Sequence, residues 1–197
     1  MKTYLFIHGA WHGKWCWKKV LEILKGKNIK AYAIDLPGHG AKNSMKEVFL
    51  SDYVDYCVSY IKEKNLKDII LVGHSFAGVV ISRLAEEIPE RISKLVYLAG
   101  IVLDNECFLD IIPKEIAADF RNQAKKGSCL NLPEEAIHHL FISSIDRKDV
   151  RFKLVLKNLT PQPAYPFFEK VFFVSINLVK LFSKLKNISL CSLQLIQ

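Results

Sequence analysis

The first hundred residues alternate between two hydrophobic periods. Residues 4–7, 29–34, 69–72 and 95–98 are short, nearly unbroken apolar runs, the pattern of strands buried on both faces of a parallel sheet. Between them apolar positions recur at helical spacing. Trp17, Val20, Leu21 and Leu24 form one stripe, which stops at Gly26, a candidate C-cap. Val54, Cys57, Val58 and Ile61 form a second, with Ser51 as candidate N-cap. Phe76, Val79, Val80, Leu84 and Ile88 form a third, which Pro89 ends. Strand and helix in this alternation give right-handed crossovers with helices on both faces of the sheet. The expected fold class is α/β, a mainly parallel sheet with flanking helices.

After Asp104 the pattern changes, and residues 113–126, 133–141 and 146–159 carry only helical candidates. Pro133 before Glu134 and Glu135 is a good helix start, because proline needs no amide donor there and the carboxylates oppose the helix dipole. A helical insertion after the fourth strand predicts a cap over the strand ends. Thr160-Pro161-Gln162-Pro163 and then Pro166 break the helix, and one weak strand candidate follows at 188–196. The expected division is a core over 1–103, a helical cap over 104–160, and a return segment over 161–197 that leaves the core incomplete.

The chemistry sits at the strand ends. Gly73-His74-Ser75-Phe76-Ala77-Gly78 lies where the run 69–72 gives way to the third helical stripe. A serine on a tight turn between strand and helix stands exposed above the sheet, a nucleophile elbow, and its neighbours two before and two after must be small. Gly73 and Ala77 meet that need, so Ser75 is the candidate nucleophile, with His74 and Gly78 completing the elbow. Acyl transfer passes through a tetrahedral oxyanion that needs two preorganised donors. The loop His8-Gly9-Ala10-Trp11-His12-Gly13 follows the first strand and lets a backbone amide approach the serine. The amides of Ala10 and Phe76 are the candidate oxyanion hole. His8 and His12 read as buried, hydrogen-bonded residues, and Asp35-Leu36-Pro37-Gly38-His39-Gly40 as a sharp architectural turn.

Charge and composition narrow the partners. The net charge of +8 comes from scattered lysines and arginines, without the continuous basic stripe and interleaved aromatics of a nucleic-acid binder. Five cysteines show no CxxC or Cys/His ligand spacing, which predicts reduced thiols, no metal, and a cytoplasmic location. No GxGxxG follows the first strand, so no nicotinamide or other cofactor is expected. The apolar stretch 171–182 is interrupted by Lys180 and falls short of the roughly 20 residues of a spanning helix. No integral membrane segment is expected.

These motifs, in this order, resemble the α/β-hydrolase fold family, and within it the small esterase branch of plant methyl esterases, related hydroxynitrile lyases and bacterial homologues. The resemblance is carried by residues 7–13 with Trp15 and Trp17, by 72–78, and by Leu98-Ala99-Gly100 leading to Asp104, and it extends over about residues 3–168. It implies hydrolysis of small-molecule carboxylic esters through Ser75. In the lyases a threonine follows the histidine aligned with His8; Gly9 stands here, which favours an esterase over a lyase-like enzyme.

The family's order is serine, acid, histidine, the last two on loops after the final strands. Here the only histidines after Ser75 are His138 and His139, both in the expected cap, and residues 171–197 contain neither aspartate nor histidine. Three readings stay open: a C-terminally truncated or frameshifted hydrolase, a catalytically dead homologue that binds a small ester or acid, or a triad drawing on Asp104 with His138 or His139.

Overall fold

In the computed structural model, which describes residues 2–40 and 47–172, the four apolar runs form one parallel sheet. Its strands are β1 (Thr3–Ile7), β2 (Ala31–Ile34), β3 (Ile69–His74) and β4 (Ile92–Leu98), in the spatial order β2-β1-β3-β4. The register pairs Leu5 with Tyr32 on one side and with Leu71 on the other. Alternate side chains therefore feed two cores. Leu5, Ile7, Ile69 and Leu71 pack with α2 (Leu50–Glu63) and α3 (Ala77–Glu87). Phe6, Ile70 and Val72 pack with Trp17 and with Val20, Leu21 and Leu24 of α1 (Lys18–Gly26) on the opposite face.

Element ends depart from the sequence expectation for local reasons. Gly26 is the last helical residue of α1, and Asn28, at φ 56°, takes the left-handed position instead. The Ile29 N–H then closes back on the Leu24 carbonyl at 2.9 Å, so the next strand begins only at Ala31. Ser51 lies inside α2 rather than capping it; the Asp52 carboxylate accepts the Phe49 N–H at 2.7 Å and does that work. β4 starts at Ile92, before its apolar run, because Ser93 and Lys94 are exposed on the outermost strand of the described sheet. An open groove lined by Ala85, Pro89, Ile92 and Leu95 runs beside it.

Beyond β4 come the three expected helices, α4 (Lys114–Ala124), α5 (Glu134–Phe141) and α6 (Val150–Asn158), the last capped by the Asp149 carboxylate accepting the Arg151 N–H at 2.7 Å. The region is not all helix, however. Residues Cys129–Leu130 (β5) pair antiparallel with Gln162–Pro163 (β6), and a short α7 (Tyr165–Phe168) follows where Pro166 pointed to a break. Proline at the start of a helix lacks only a donor that would be unpaired anyway. The strand candidate at 188–196 lies outside the described residues.

Aromatic rings join these helices to the core. Trp11, on the loop after β1, meets Phe120 of α4, Phe141 of α5 and Phe167 of α7 at centroid distances of 5.9, 6.1 and 5.6 Å. Phe167 also lies 4.7 Å from Phe76 and 4.2 Å from Phe108. Among the described residues, no helix is long and apolar enough to cross a membrane, and Cys16, Cys57, Cys107 and Cys129 carry free thiols.

Candidate active site

β3 ends at His74, α3 begins at Ala77, and the chain turns between them with Ser75 at φ 52°. A left-handed conformation costs a non-glycine residue roughly 1–2 kcal/mol, so the surroundings must enforce it. They do so through backbone alone. The Ser75 N–H donates to the Leu98 carbonyl at 3.1 Å, and the Ser75 carbonyl accepts from Gly78 and Ile101, each at 2.9 Å. The turn is thereby bound to the end of β4.

Close approach explains the small residues. A methyl carbon on Gly73 would lie 2.7 Å from the Ala77 carbonyl oxygen, where strand and helix backbones touch. A further tight position is Gly78, where a carbon would run into the Ile101 carbonyl oxygen. Opposite the serine, a carbon on Gly9 would sit 3.0 Å from Ser75 Cβ. The loop after β1 thus lies against Ser75, and glycine is what lets it do so.

Two residues of these turns are buried and keep an open backbone donor. Ala10 is 8% exposed and Phe76 2%, and among the described residues neither of their N–H groups has an acceptor. Buried amides are nearly always paired, so these two, one following Gly9 and the other following Ser75, stand out.

The histidines of the loop are committed to holding it. His8 Nε2 accepts the Leu36 N–H at 3.1 Å, which leaves the proton on Nδ1, donated to the Gly9 carbonyl at 2.8 Å. His12 Nδ1 donates to the Ala10 carbonyl at 2.8 Å. His74 is partly buried beside Trp17 and His12, with ring centroids 6.4 and 6.3 Å away. His39 Nε2 donates to Gln162 Oε1 at 2.9 Å. Among the described residues, none of these rings hydrogen-bonds Ser75. His138 Nε2 donates to the Ile145 carbonyl at 2.8 Å and its ring rests against Phe152. His139 and Asp104 are exposed, and no hydrogen bond joins either to Ser75 or to His138 among the described residues.

Burial gives these rings a measurable consequence. It pushes His12 down to about 4, against the raising effect of the Ala10 carbonyl, and holds His8 well below its ordinary value with His39 adding to the effect. In the unfolded chain both titrate near 6.5. Stability is therefore complete above about pH 6.5 and is lost as pH falls toward 4, because the unfolded chain takes up protons that the folded one refuses; His12 alone accounts for about 3 kcal/mol across that window. Urea midpoints should fall between pH 7 and 5, and less steeply in His12→Asn. A profile flat over that range, above the carboxylates, would contradict the buried neutral assignment.

Sequence reasoning missed Gln162. It is wholly buried on β6 and accepts the Trp11 N–H at 3.3 Å and the His39 Nε2–H on one oxygen. Its amide donates to Tyr53 Oη at 3.2 Å and to the Pro163 carbonyl at 3.0 Å. No local pattern announces such a residue.

Comparison with known proteins agrees with this architecture. Residues 4–171 match the model of the alpha/beta hydrolase family. A carbendazim hydrolyzing esterase from Nocardioides sp. (strain SG-4G) is 32% identical over 127 residues, covering 61% of this chain and 52% of that protein. Methylesterase 9 of Arabidopsis thaliana is 30% identical over 131 residues, 61% of this chain and 51% of the relative. The chain thus spans about half the length of these relatives. Among solved structures, an extracellular alpha/beta-hydrolase from a Paenibacillus species, described as sharing structural and functional homology with tobacco salicylic acid binding protein 2, superposes with a TM-score of 0.81 at 29% identity, covering 88% of this chain and 72% of the other. A methylesterase from Arabidopsis has the same fold, with a TM-score of 0.71 at 23% identity over 91% of this chain and 75% of its own. By the length of the family match, the chain belongs to the alpha/beta hydrolase family, and its relatives include methylesterases.

Proposed function

We propose that this protein is a serine hydrolase of small-molecule carboxylic esters, with Ser75 as nucleophile and the N–H groups of Ala10 and Phe76 as the oxyanion hole. The observation that carries the reading is the serine held at φ 52°, with the buried residues Ala10 and Phe76 keeping N–H groups that have no acceptor among the described residues. Ser75 Oγ would bond to the ester carbonyl carbon, passing its proton to a base, while the negative oxygen that forms accepts from the two amides. Collapse expels the alcohol, which takes up a proton, and water then releases the acid by the same route. The relatives that are esterases by name support the reaction class.

A second reading has its own observation. No histidine or carboxylate hydrogen-bonds Ser75 among the described residues, which favours a homologue that binds a small ester or acid without turnover; Asp104, His138 and His139 are the candidates for acid and base against it. A serine-directed fluorophosphonate probe with peptide mapping separates the two. Hydrolysis requires a covalent adduct on Ser75 that is lost in Ser75→Ala. Full occupancy of the serine peptide by unmodified protein, after prolonged exposure, would leave the binding reading.

A further inference from the structure

We propose that Gln162 is a positioning residue for the oxyanion loop, and that through it the segment following the cap sets the aim of the Ala10 N–H at Ser75. The inference rests on the assignment of Ala10 as an oxyanion donor.

The loop is held peptide by peptide. The Gly9–Ala10 peptide carries the unpaired N–H, and its carbonyl accepts from His8 Nδ1 at 2.8 Å and from the His12 N–H at 3.3 Å. The next peptide, Ala10–Trp11, is gripped at both ends: its carbonyl by His12 Nδ1 and its N–H by Gln162 Oε1. The Trp11 carbonyl accepts the Thr160 N–H at 2.9 Å, and Trp11 Nε1 donates to the Leu130 carbonyl at 3.0 Å. Trp11 itself sits at φ 60°, a conformation that a bulky side chain holds only when its surroundings over-determine it.

Some of these anchors belong to the loop itself. Gln162, Thr160 and Leu130 come from beyond β4, and among them Gln162 is the side chain. Its four hydrogen-bonding positions are all taken, by Trp11 and His39 on the oxygen and by Tyr53 and Pro163 on the nitrogen. Exchanging oxygen and nitrogen would set the amide group against the Trp11 N–H, donor to donor, so the network fixes the orientation. Rotating this amide would strand several buried polar groups at once, and a group so constrained is a rigid stop for the Trp11 N–H. Loss of that stop frees the Ala10–Trp11 peptide to rotate, and the neighbouring Gly9–Ala10 plane with it.

The test uses the full chain. Gln162→Met keeps the length of the side chain and removes the acceptor; Gln162→Glu, read at a pH where the buried carboxyl is protonated, keeps an acceptor facing Trp11 and His39 and an O–H facing the Pro163 carbonyl. Hydrogen exchange of the Trp11 amide, followed by NMR, should quicken about 30-fold in Gln162→Met while Leu5 in β1 is unmoved, and stay within about threefold of wild type in Gln162→Glu. Phenylboronic acid, which forms a tetrahedral adduct on a serine hydroxyl without turnover, should bind about tenfold more weakly to Gln162→Met and recover in Gln162→Glu. Ile61→Val, a core truncation in α2, controls for lost stability and should move neither readout. Unchanged Trp11 exchange, or acceleration shared equally with Leu5, overturns the proposal, as does faster exchange with unaltered boronate affinity. Wild-type protein that binds no boronate would instead refute Ala10 as donor, and the exchange data would still decide the clamp. Should Gln162→Met fail to fold, Gln162→Asn, which withdraws the acceptor by one methylene, is read the same way.

Discussion

Replacing Ser75 with alanine is expected to reduce hydrolysis of a short-chain aryl ester at least about 10⁴-fold, to the buffer rate, while leaving the melting temperature within about 2 °C of wild type. The two halves of that expectation come from different parts of the structure. The hydroxyl has no hydrogen-bond partner among the described residues, so its removal orphans nothing in the core. The turn is made by the Leu98 carbonyl and the N–H groups of Gly78 and Ile101, none of which touches the side chain. Alanine inherits the left-handed φ of 52° and its strain. Glycine would not, so Ser75→Gly should be equally inactive yet more stable by about 0.5–1 kcal/mol. Strain relieved at the cost of function is what a backbone outlier at a working residue predicts. Esterase activity above a tenth of wild type in Ser75→Ala would remove the serine from the mechanism. Wild-type protein already at the buffer rate would return the question to the binding reading.

How much of this was legible beforehand follows from how local each feature is. The four strands and the helices between them announce themselves because their burial repeats every two or every 3.6 residues. The split of Leu5 and Ile7 from Phe6 into two cores is that period made visible. The elbow was legible for the same reason, as a strand, a short polar break and a helix. The smallness rule nonetheless overlooked Gly78, because the carbonyl that constrains it belongs to Ile101, on a different element. The two-residue strands β5 and β6 have no room for an alternation, and Pro163 reads as a breaker wherever pairing is not known. Gln162 lies 151 residues from Trp11, 123 from His39 and 109 from Tyr53. Its importance is entirely tertiary. The same holds for the amides of Ala10 and Phe76: their motif suggested donors, and only the tertiary structure can say that no acceptor among the described residues has claimed them.

Phe167→Ala is expected to destabilise the protein by about 3–5 kcal/mol and to lower the melting temperature by roughly 10 °C. Phe167 is wholly buried, and its ring lies between Phe108 at 4.2 Å and Phe76 at 4.7 Å, with Trp11 at 5.6 Å and Phe120 at 6.2 Å. Truncation leaves a cavity walled by large rings on separate elements: the loop after β1, the turn before α3, the segment after β4, and α4. Such rings cannot collapse together without shifting the backbones that carry them, which puts the cost toward the upper end of the range. The helix that presents Phe167 is too short to stand alone, so its place depends on packing, to which this ring contributes beside buried Pro166 and the stack of Tyr165 on Phe49. Leu154→Ala, on the exposed face of α6 at 60% accessibility, should cost under about 0.5 kcal/mol. A Phe167→Ala variant within 1 kcal/mol of wild type, by urea denaturation, would mean that the aromatic seam is not what seats the helical region on the elbow. A loss of the expected size, by contrast, would tie the stability of the fold to rings bordering both proposed oxyanion donors, since Phe76 bears one of them and Trp11 follows the other.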